Sequence, residues 1–412
     1  MLDDYFTQEE ILRCHRAEFF GAYLDTYTSA AKEHGYRPDT VRSHCQQIRH
    51  FGRWLERVGL SIGALDDGVI EKFWKTRRGV PQVRHAGTKP LRTLIEHLRA
   101  QGVIAEQSAP VRTEAQELAH RYGEYLAQRR ALTAVSTQWH LAVVLRFLQD
   151  RFGRGPLRLH ALAEKDITRF VLKTAESLCA RTQQSRMSAL RSFFRFLLEQ
   201  AEIDVDLAGA VPTVCARRFA DVPKYLARGQ VEQLLASCER DTSIGRRDFA
   251  MLLLLARLGL RAGEVARLEL DDIRWRTSEL LIRGKGSSHE VLPLLADVGE
   301  ALAAYIKKDR PRCDTRRVFT RVRAPLTALS SKGGVTTVVR AAMFRAGLDV
   351  PERGAYVLRH SLATRMLRDG ASMSEIGVVL RHRSPATTEI YAKVDITSLS
   401  RLAQPWPIGG VR

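Results

Sequence analysis

Four short segments in the second half of the chain bring together residue types suited to attack on a phosphodiester. They are Gly259-Leu-Arg-Ala-Gly-Glu-Val-Ala-Arg-Leu268, with Leu270-Asp-Asp-Ile273 behind it; Gly284-Lys-Gly-Ser-Ser-His289; Tyr356-Val-Leu-Arg-His-Ser-Leu-Ala-Thr364; and Leu380-Arg-His382 followed by Thr387-Thr-Glu-Ile-Tyr391. A phosphodiester is anionic, and its pentavalent transition state gathers more charge on the non-bridging oxygens. Guanidinium forks suit those oxygens because they stay charged at any working pH. A phenol, with a pKa near 10, is a poor nucleophile at neutral pH. It needs a cationic surrounding and a nearby base such as histidine to lose its proton during attack. The leaving oxygen must gain a proton, and a lysine on a loop whose flanking glycines turn freely can deliver one.

The order and neighbours of these segments resemble the tyrosine recombinase (phage integrase) family over roughly 180 residues of the chain. The resemblance places the family's catalytic arginines on Arg261 and Arg359, its lysine on Lys285, its histidine on His382 and its nucleophile on Tyr391. It implies a 3′-phosphotyrosyl intermediate and a free 5′-hydroxyl. The energy of the broken bond is then kept, so no cofactor, metal or ATP is expected. Glu264, three residues after Arg261, is expected to orient its neighbour rather than to catalyse. Two positions depart from the family's pattern. Tyr356 stands where histidine or lysine is usual; its hydroxyl offers a hydrogen bond but no charge. Arg381 stands where glycine commonly precedes the histidine, which suggests a helical backbone and an added phosphate contact. His360, adjacent to Arg359 on one helix, should point about 100° away from it and is expected to serve packing or support.

The elements that must position these groups fall into three parts. Val41, Ile48, Phe51 and Leu55 recur at helical spacing, bounded by Pro38 and Gly59, and Ser136 to Phe152 repeats the design with Trp139, Val143, Phe147 and Leu148. Ala64-Leu-Asp-Asp-Gly-Val-Ile70 is echoed by Ala161-Leu-Ala-Glu-Lys-Asp-Ile167, and Leu91-Arg-Thr-Leu-Ile-Glu-His-Leu98 by Leu190-Arg-Ser-Phe-Phe-Arg-Phe-Leu197. The nearly constant offsets, 97 (161 − 64) and 99 (190 − 91), point to two similar helical domains in tandem. Punctuated segments at Gln107–Pro110 and Ala208–Pro212 mark the boundaries. Beyond them, helices are expected at Gln230–Cys238, Arg246–Leu258, Thr336–Ala346, Tyr356–Arg368, Ser374–Leu380 and Pro385–Lys393. Ser278–Arg283 and Glu290–Leu294 should pair as a hairpin.

Composition agrees with a nucleic-acid partner. The chain of 412 residues carries 65 Lys+Arg against 46 Asp+Glu, a formal charge of +19. Such a surplus favours a polyanion, whose condensed counterions are released on binding. No apolar run approaches the ~20 residues that span a bilayer. The acidic start, Met1-Leu-Asp-Asp-Tyr5, lacks the layout of a signal peptide. Six scattered cysteines without a C-x-x-C pair argue against a disulfide framework or a zinc site and suggest mostly buried thiols.

The expected fold is mainly α: two tandem helical, SAM-like DNA-binding domains (1–108 and 109–215), then a mixed α/β catalytic domain with a small antiparallel sheet (220–404) and a tail (405–412). The resemblance makes 109–215 the core-binding half of a clamp on DNA. There Arg181, Gln183, Gln184 and Arg186 open a helix as either a groove-contact face or a solvated start, with Arg381 as a further DNA contact. The N-terminal copy either binds accessory DNA, touches an outer part of the core site, or mediates assembly. The segment Ile396–Pro405 either docks on a neighbouring subunit or packs on its own domain. The expected activity is site-specific recombination by a cytoplasmic, nucleoid-associated, mobile-element-borne enzyme. It would act on double-stranded DNA with inverted half-sites, as a homotetramer through a Holliday junction, with accessory or sister recombinases as further partners. A type IB topoisomerase-like nicking and resealing enzyme shares the chemistry; a DNA-binding architectural protein that lost activity is the alternative from another class.

Overall fold

A computed structural model describes residues 1–76, 87–105, 112–153, 155–175, 178–214, 222–284, 289–329, 331–351 and 354–394. Lys285 and the segment Ile396–Pro405 lie outside the described residues.

By contacts, Met1–Glu106 and Asp221–Arg412 form one compact unit, and Gln107–Ala220 another. The N-terminal part holds α1 (Glu9–Ala17), α2 (Gly21–Glu33), α3 (Pro38–Val58), α4 (Asp67–Thr76) and α5 (Lys89–Ala100). Its own core includes Leu24, Tyr27, Val41, Ile48, Phe51, Leu55, Leu91, Leu94 and Leu98. Pro38 opens α3 where its missing N–H costs nothing, and Gly59 closes it at φ +69.

The unit Gln107–Ala220 repeats that plan with α6 (Glu114–Arg130), α7 (Ala134–Phe152), α8 (Glu164–Ala175) and α9 (Ala180–Glu199). In both copies a 3-10 turn, Ile62–Ala64 between α3 and α4 or Leu159–Ala161 between α7 and α8, sits at the same place. A buried polar pair repeats as well: the Tyr27 hydroxyl lies 3.0 Å from His44 Nδ1, and the Tyr122 hydroxyl 3.1 Å from His140 Nδ1. A matching tyrosine–histidine bond inside each bundle is hard to obtain from generic amphipathic helices, which supports the duplication. Trp139, expected on the apolar stripe of α7, is instead 41% exposed, while Val143, Phe147 and Leu148 are buried.

The remaining part is built on α11 (Ser243–Arg257), whose residues from Ala250 to Ala256 are all buried. Around it pack α10 (Arg228–Ala236), α12 (Ala262–Arg267), α13 (Ala296–Lys308), α14 (Ser331–Arg345) and α15 (Tyr356–Arg368), with α16 (Met373–Val379) against α15. Three antiparallel strands, β1 (Ile273–Arg274), β2 (Glu279–Arg283) and β3 (His289–Pro293), run in the order β1-β2-β3 with Leu280 opposite Leu292. The short β1 was not anticipated; two residues give no periodicity to read. Leu280 and Ile282 face inward, as strand alternation requires. The expected helix at 385–393 is two 3-10 turns, Pro385–Thr387 and Glu389–Val394. Of the described cysteines, Cys45 and Cys238 are buried but Cys14 and Cys179 are exposed, so thiol burial is less general than expected.

Phe147 rests edge-on against Phe170 and Phe194 at 5.4 and 5.5 Å in the second copy. Phe147→Ala should cost about 3–5 kcal/mol through the cavity it leaves, measured as a lower urea midpoint for unfolding.

Candidate active site

The site starts from a short helix and a helix end. Arg261 is the N-cap of α12, and Glu264 reaches back to it: its carboxylate accepts from the Arg261 backbone N–H at 2.8 Å and from Nη1 at 2.7 Å. Glu264 is buried, which raises its pKa, but the Arg261 N–H and the charges of Arg381 and Arg261 outweigh this and hold it below the ordinary value. The carboxylate is therefore ionised and fixes the orientation of Arg261.

Arg381 follows α16. Its N–H donates to Val378 O and that of His382 to Gly377 O, both at 2.9 Å, the paired bonds of a Schellman helix ending. That ending requires a left-handed residue, and Arg381 takes φ +55. The expected helical backbone is thus wrong: the helix end, not the residue type, sets the conformation. Nor does Arg381 present itself as an exposed phosphate contact. Its side chain is 5% exposed, donates to Glu264 Oε2 at 3.0 Å and lies 3.5 Å from Glu290. One buried carboxylate therefore serves two arginines.

Arg359, on α15, is 1% exposed; its Nη1 donates to Gly259 O at 2.5 Å and its Nη2 to Leu380 O. Gly259, at φ +59, leaves room for Leu380 and Leu362, either of which a Cβ would strike below 3 Å. Burial and the charges of Arg261 and Arg381 lower the Arg359 pKa to about 10, still protonated at neutral pH. His382 hydrogen-bonds Thr388 Oγ1 through Nδ1 at 2.7 Å, while its Nε2 is buried without a hydrogen bond among the described residues. Arg261, Tyr356, Arg381 and His382 line one open cavity of about 650 Å³.

Tyr391 packs behind this cavity, 1% exposed. Its hydroxyl lies 3.0 Å from His360 Nδ1, and its ring is parallel to that of His382 at 6.4 Å. His360 is braced edge-on by Tyr356 at 4.4 Å. His360, expected to serve packing or support, thus meets the candidate nucleophile. Pointing away from Arg359 aims it at a segment that arrives from elsewhere in the chain. Burial, then the charge of Arg359, lowers the His360 pKa to about 4, so the imidazole is neutral at pH 7. Burial raises the Tyr391 pKa, with Tyr356 adding and Arg359 opposing.

In the second helical copy, Arg181 and Gln184 are exposed on α9. Gln183 instead donates to Ala175 O at 2.6 Å, and Arg186 is buried over the Phe170 ring at 5.7 Å. Arg186 falls in the register of Met187, Leu190 and Phe193, the inward stripe, which explains why it is not part of a groove face. The outward stripe continues instead from Arg181 and Gln184 through Ser188 and Arg191 to Arg195. With Arg130 and His140, the last three line a cavity of about 380 Å³. Its signal in the sequence is the recurrence every three or four residues of polar or basic side chains.

Comparison with known proteins agrees with this fold. The phage integrase family matches residues 224–397, and the phage integrase N-terminal SAM-like domain matches residues 119–201. The chain is 39% identical to y4rA of Sinorhizobium fredii, named for the integrase/recombinase class, over 93% of this chain and 94% of that one. It is 26% identical to the tyrosine recombinase XerC of Bacillus pumilus, over 70% of this chain and 95% of that one. The fold is shared with the XerH site-specific recombinase, solved in a post-cleavage complex with its palindromic difH substrate. There the TM-score is 0.53 at 18% identity, covering 70% of this chain and 84% of that one.

Two outcomes follow from the geometry. Glu264→Gln leaves Arg381 buried against a neutral amide and should cost about 3–5 kcal/mol, read by thermal unfolding. An imidazole in the unfolded chain titrates near about 6.5, whereas His360 and His382 are each held to about 4, chiefly by burial. Between those values the unfolded chain binds more protons, so stability falls as pH drops through this window. His360→Gln should flatten that fall, measured as the unfolding midpoint against pH.

Proposed function

The chain belongs to the tyrosine recombinase (phage integrase) family, and from that premise we propose that it cuts and rejoins DNA at specific sites through Tyr391. It is a site-specific DNA recombinase. The observation that supports the assignment of roles is that Arg261 and His382 line one cavity, with the Tyr391 ring parallel to that of His382 and Arg359 held beside them on Gly259 O and Leu380 O.

In the proposed reaction a scissile phosphate enters the cavity. Arg261 and Arg359 hold its non-bridging oxygens, and His382 Nε2 donates a further hydrogen bond. Tyr391 Oη attacks phosphorus, passing its proton to His360 Nδ1, 3.0 Å away. The P–O5′ bond breaks, and the 5′-oxygen takes a proton from Lys285. The 3′-phosphotyrosyl bond retains the energy for religation, and the reverse steps on a partner strand complete exchange. Tyr356 braces His360 rather than replacing a charged group.

The arginine-lined cavity of the second copy is proposed to seat backbone phosphates, with Arg181 and Gln184 nearer the groove. Inverted half-sites, a tetramer and a Holliday junction complete the reading. The similarity to y4rA, named for the integrase/recombinase class, supports recombination, and a role on a mobile element is part of the proposal. Sister or accessory recombinases would then act with it. Among the described residues no helix is long and apolar enough to cross a membrane.

The test uses nicked duplexes from the ends of the element, on a denaturing gel. Wild type should give a covalent protein–DNA band, and Tyr391→Phe none. His360→Ala should reduce the band by about 10²–10⁴-fold. That defect should persist with a 5′-bridging phosphorothiolate, whose thiolate leaves without a proton, whereas Lys285→Ala should recover on it. Recovery of His360→Ala on that substrate would move His360 to the leaving-group side and refute its role as acceptor.

A further inference from the structure

The two helical copies share a plan but differ at one place. Aligning α3 with α7 through His44 and His140, and α5 with α9 through Leu91 and Leu190, matches the cavity of the second copy to a defined spot on the first. With Tyr27 matched to Tyr122, Arg130 corresponds to Gly35; Ser188 corresponds to Lys89, Arg191 to Arg92 and Arg195 to Glu96. The second-copy cavity is lined by three arginines and a histidine with no acidic side chain. At the counterpart spot Lys89 sits over the Tyr36 ring, 5.7 Å from its centroid, and Tyr36 packs edge-on against His44 at 5.1 Å. Arg92 is paired with Asp67 at 3.3 Å, and Glu96 stands where the last arginine would be. The positive field is cancelled, so the attraction that would draw a phosphate is gone.

Something else occupies the edge of that spot. The turn that closes α2 receives Leu326, from the segment between α13 and α14. Its N–H donates to His34 O at 2.9 Å. A Cβ at Gly35 would come within 2.2 Å of Leu326 Cδ1, and Gly35 is at φ +75. A side chain at this turn would displace the leucine. The segment that presents Leu326 is itself tied back: Thr320 bridges Ala328, and the Arg321 N–H donates to Thr327 O at 2.9 Å.

We propose that the N-terminal module is a copy of the DNA-binding fold converted to protein docking: its former phosphate seat has lost its positive field, and the adjoining turn takes Leu326 of the catalytic part of the same chain. The proposal rests on the reading of the second copy as a DNA-holding module, and the test separates the two.

The full-length protein, without DNA, is followed by amide hydrogen exchange. Leu326→Asp should raise exchange of residues 30–37 and 321–328 together, by about tenfold or more, and leave the second copy unchanged. Leu326→Ala, which carries no buried charge, should do the same more weakly. Wild-type protection at 30–37 should not change on dilution; protection lost on dilution would assign the leucine to a second molecule and overturn the proposal. So would unaltered exchange at 30–37 in Leu326→Asp. In a second arm, DNA affinity is measured against salt. Lys89→Ala/Arg92→Ala should leave the slope of log K against log salt unchanged, whereas Arg130→Ala/Arg195→Ala should reduce it by about 2. An equal reduction by the first pair would show that the N-terminal module holds phosphates, and the proposal would fall. If neither pair changes the slope while Leu326→Asp behaves as expected, docking stands and the DNA-holding reading of the second copy fails.

Discussion

The buried carboxylate of Glu264 is the interaction on which the rest of the site depends. An anion-binding pocket must gather positive charge before its substrate arrives, and gathered charge repels itself in a poorly solvated place. Here Arg261, Arg359 and Arg381 converge, and burial, then their repulsion, lowers the pKa of Arg359. Glu264 offsets it by serving two of the three, and the carbonyls of Gly259 and Leu380 accept from the third. Much of the local backbone follows from those needs. The left-handed Arg381 ends α16 so that its own side chain turns inward to the carboxylate while His382 turns to the cavity. Gly259 clears the space through which Arg359 reaches its acceptors.

The nucleophile is organised on the opposite principle. Tyr391 is withdrawn from the solvent and from the arginines' hydrogen bonds, and burial makes its phenol harder to ionise. Its one strong polar partner is a neutral imidazole whose basicity is suppressed by burial and by Arg359. Burial is the larger cause for both groups, and the charge of Arg359 adds to it at His360 while opposing it at Tyr391.

How much of this was legible beforehand depended on whether the cause was local. Helix α15 was read to the residue because its pattern lies within it, and the β2–β3 hairpin because glycine-rich punctuation separates two apolar runs. The grouping of Arg261, Arg359, His382 and Tyr391 was legible through motif order. What failed was side-chain direction that depends on a partner from elsewhere. Arg381 was assigned a backbone from its residue type, although a helix ending three bonds away decides it. Arg186 was grouped with polar neighbours although its register with Met187 and Leu190 placed it inward. His360 was expected to serve packing or support, and its angle to Arg359 could not name the group it supports, Tyr391, 31 residues along the chain.

The duplication shows the same distinction between what a fold conserves and what it leaves free. The interior of each copy is constrained by packing, so the tyrosine–histidine bond and the leucine register of the last helix persist in both. Surface charge carries no such constraint, because exchanging an exposed arginine for a glutamate costs a helical bundle little. A second copy of a phosphate-binding module can therefore lose that function without losing its fold. Once the field is cancelled, a turn with a left-handed glycine becomes a seat for an apolar side chain that a charged, hydrated cavity would reject. A module that adds to the catalytic part in this way gains its place by complementarity of shape, and under the proposed reading the DNA contacts belong to the copy whose cavity is lined by arginines.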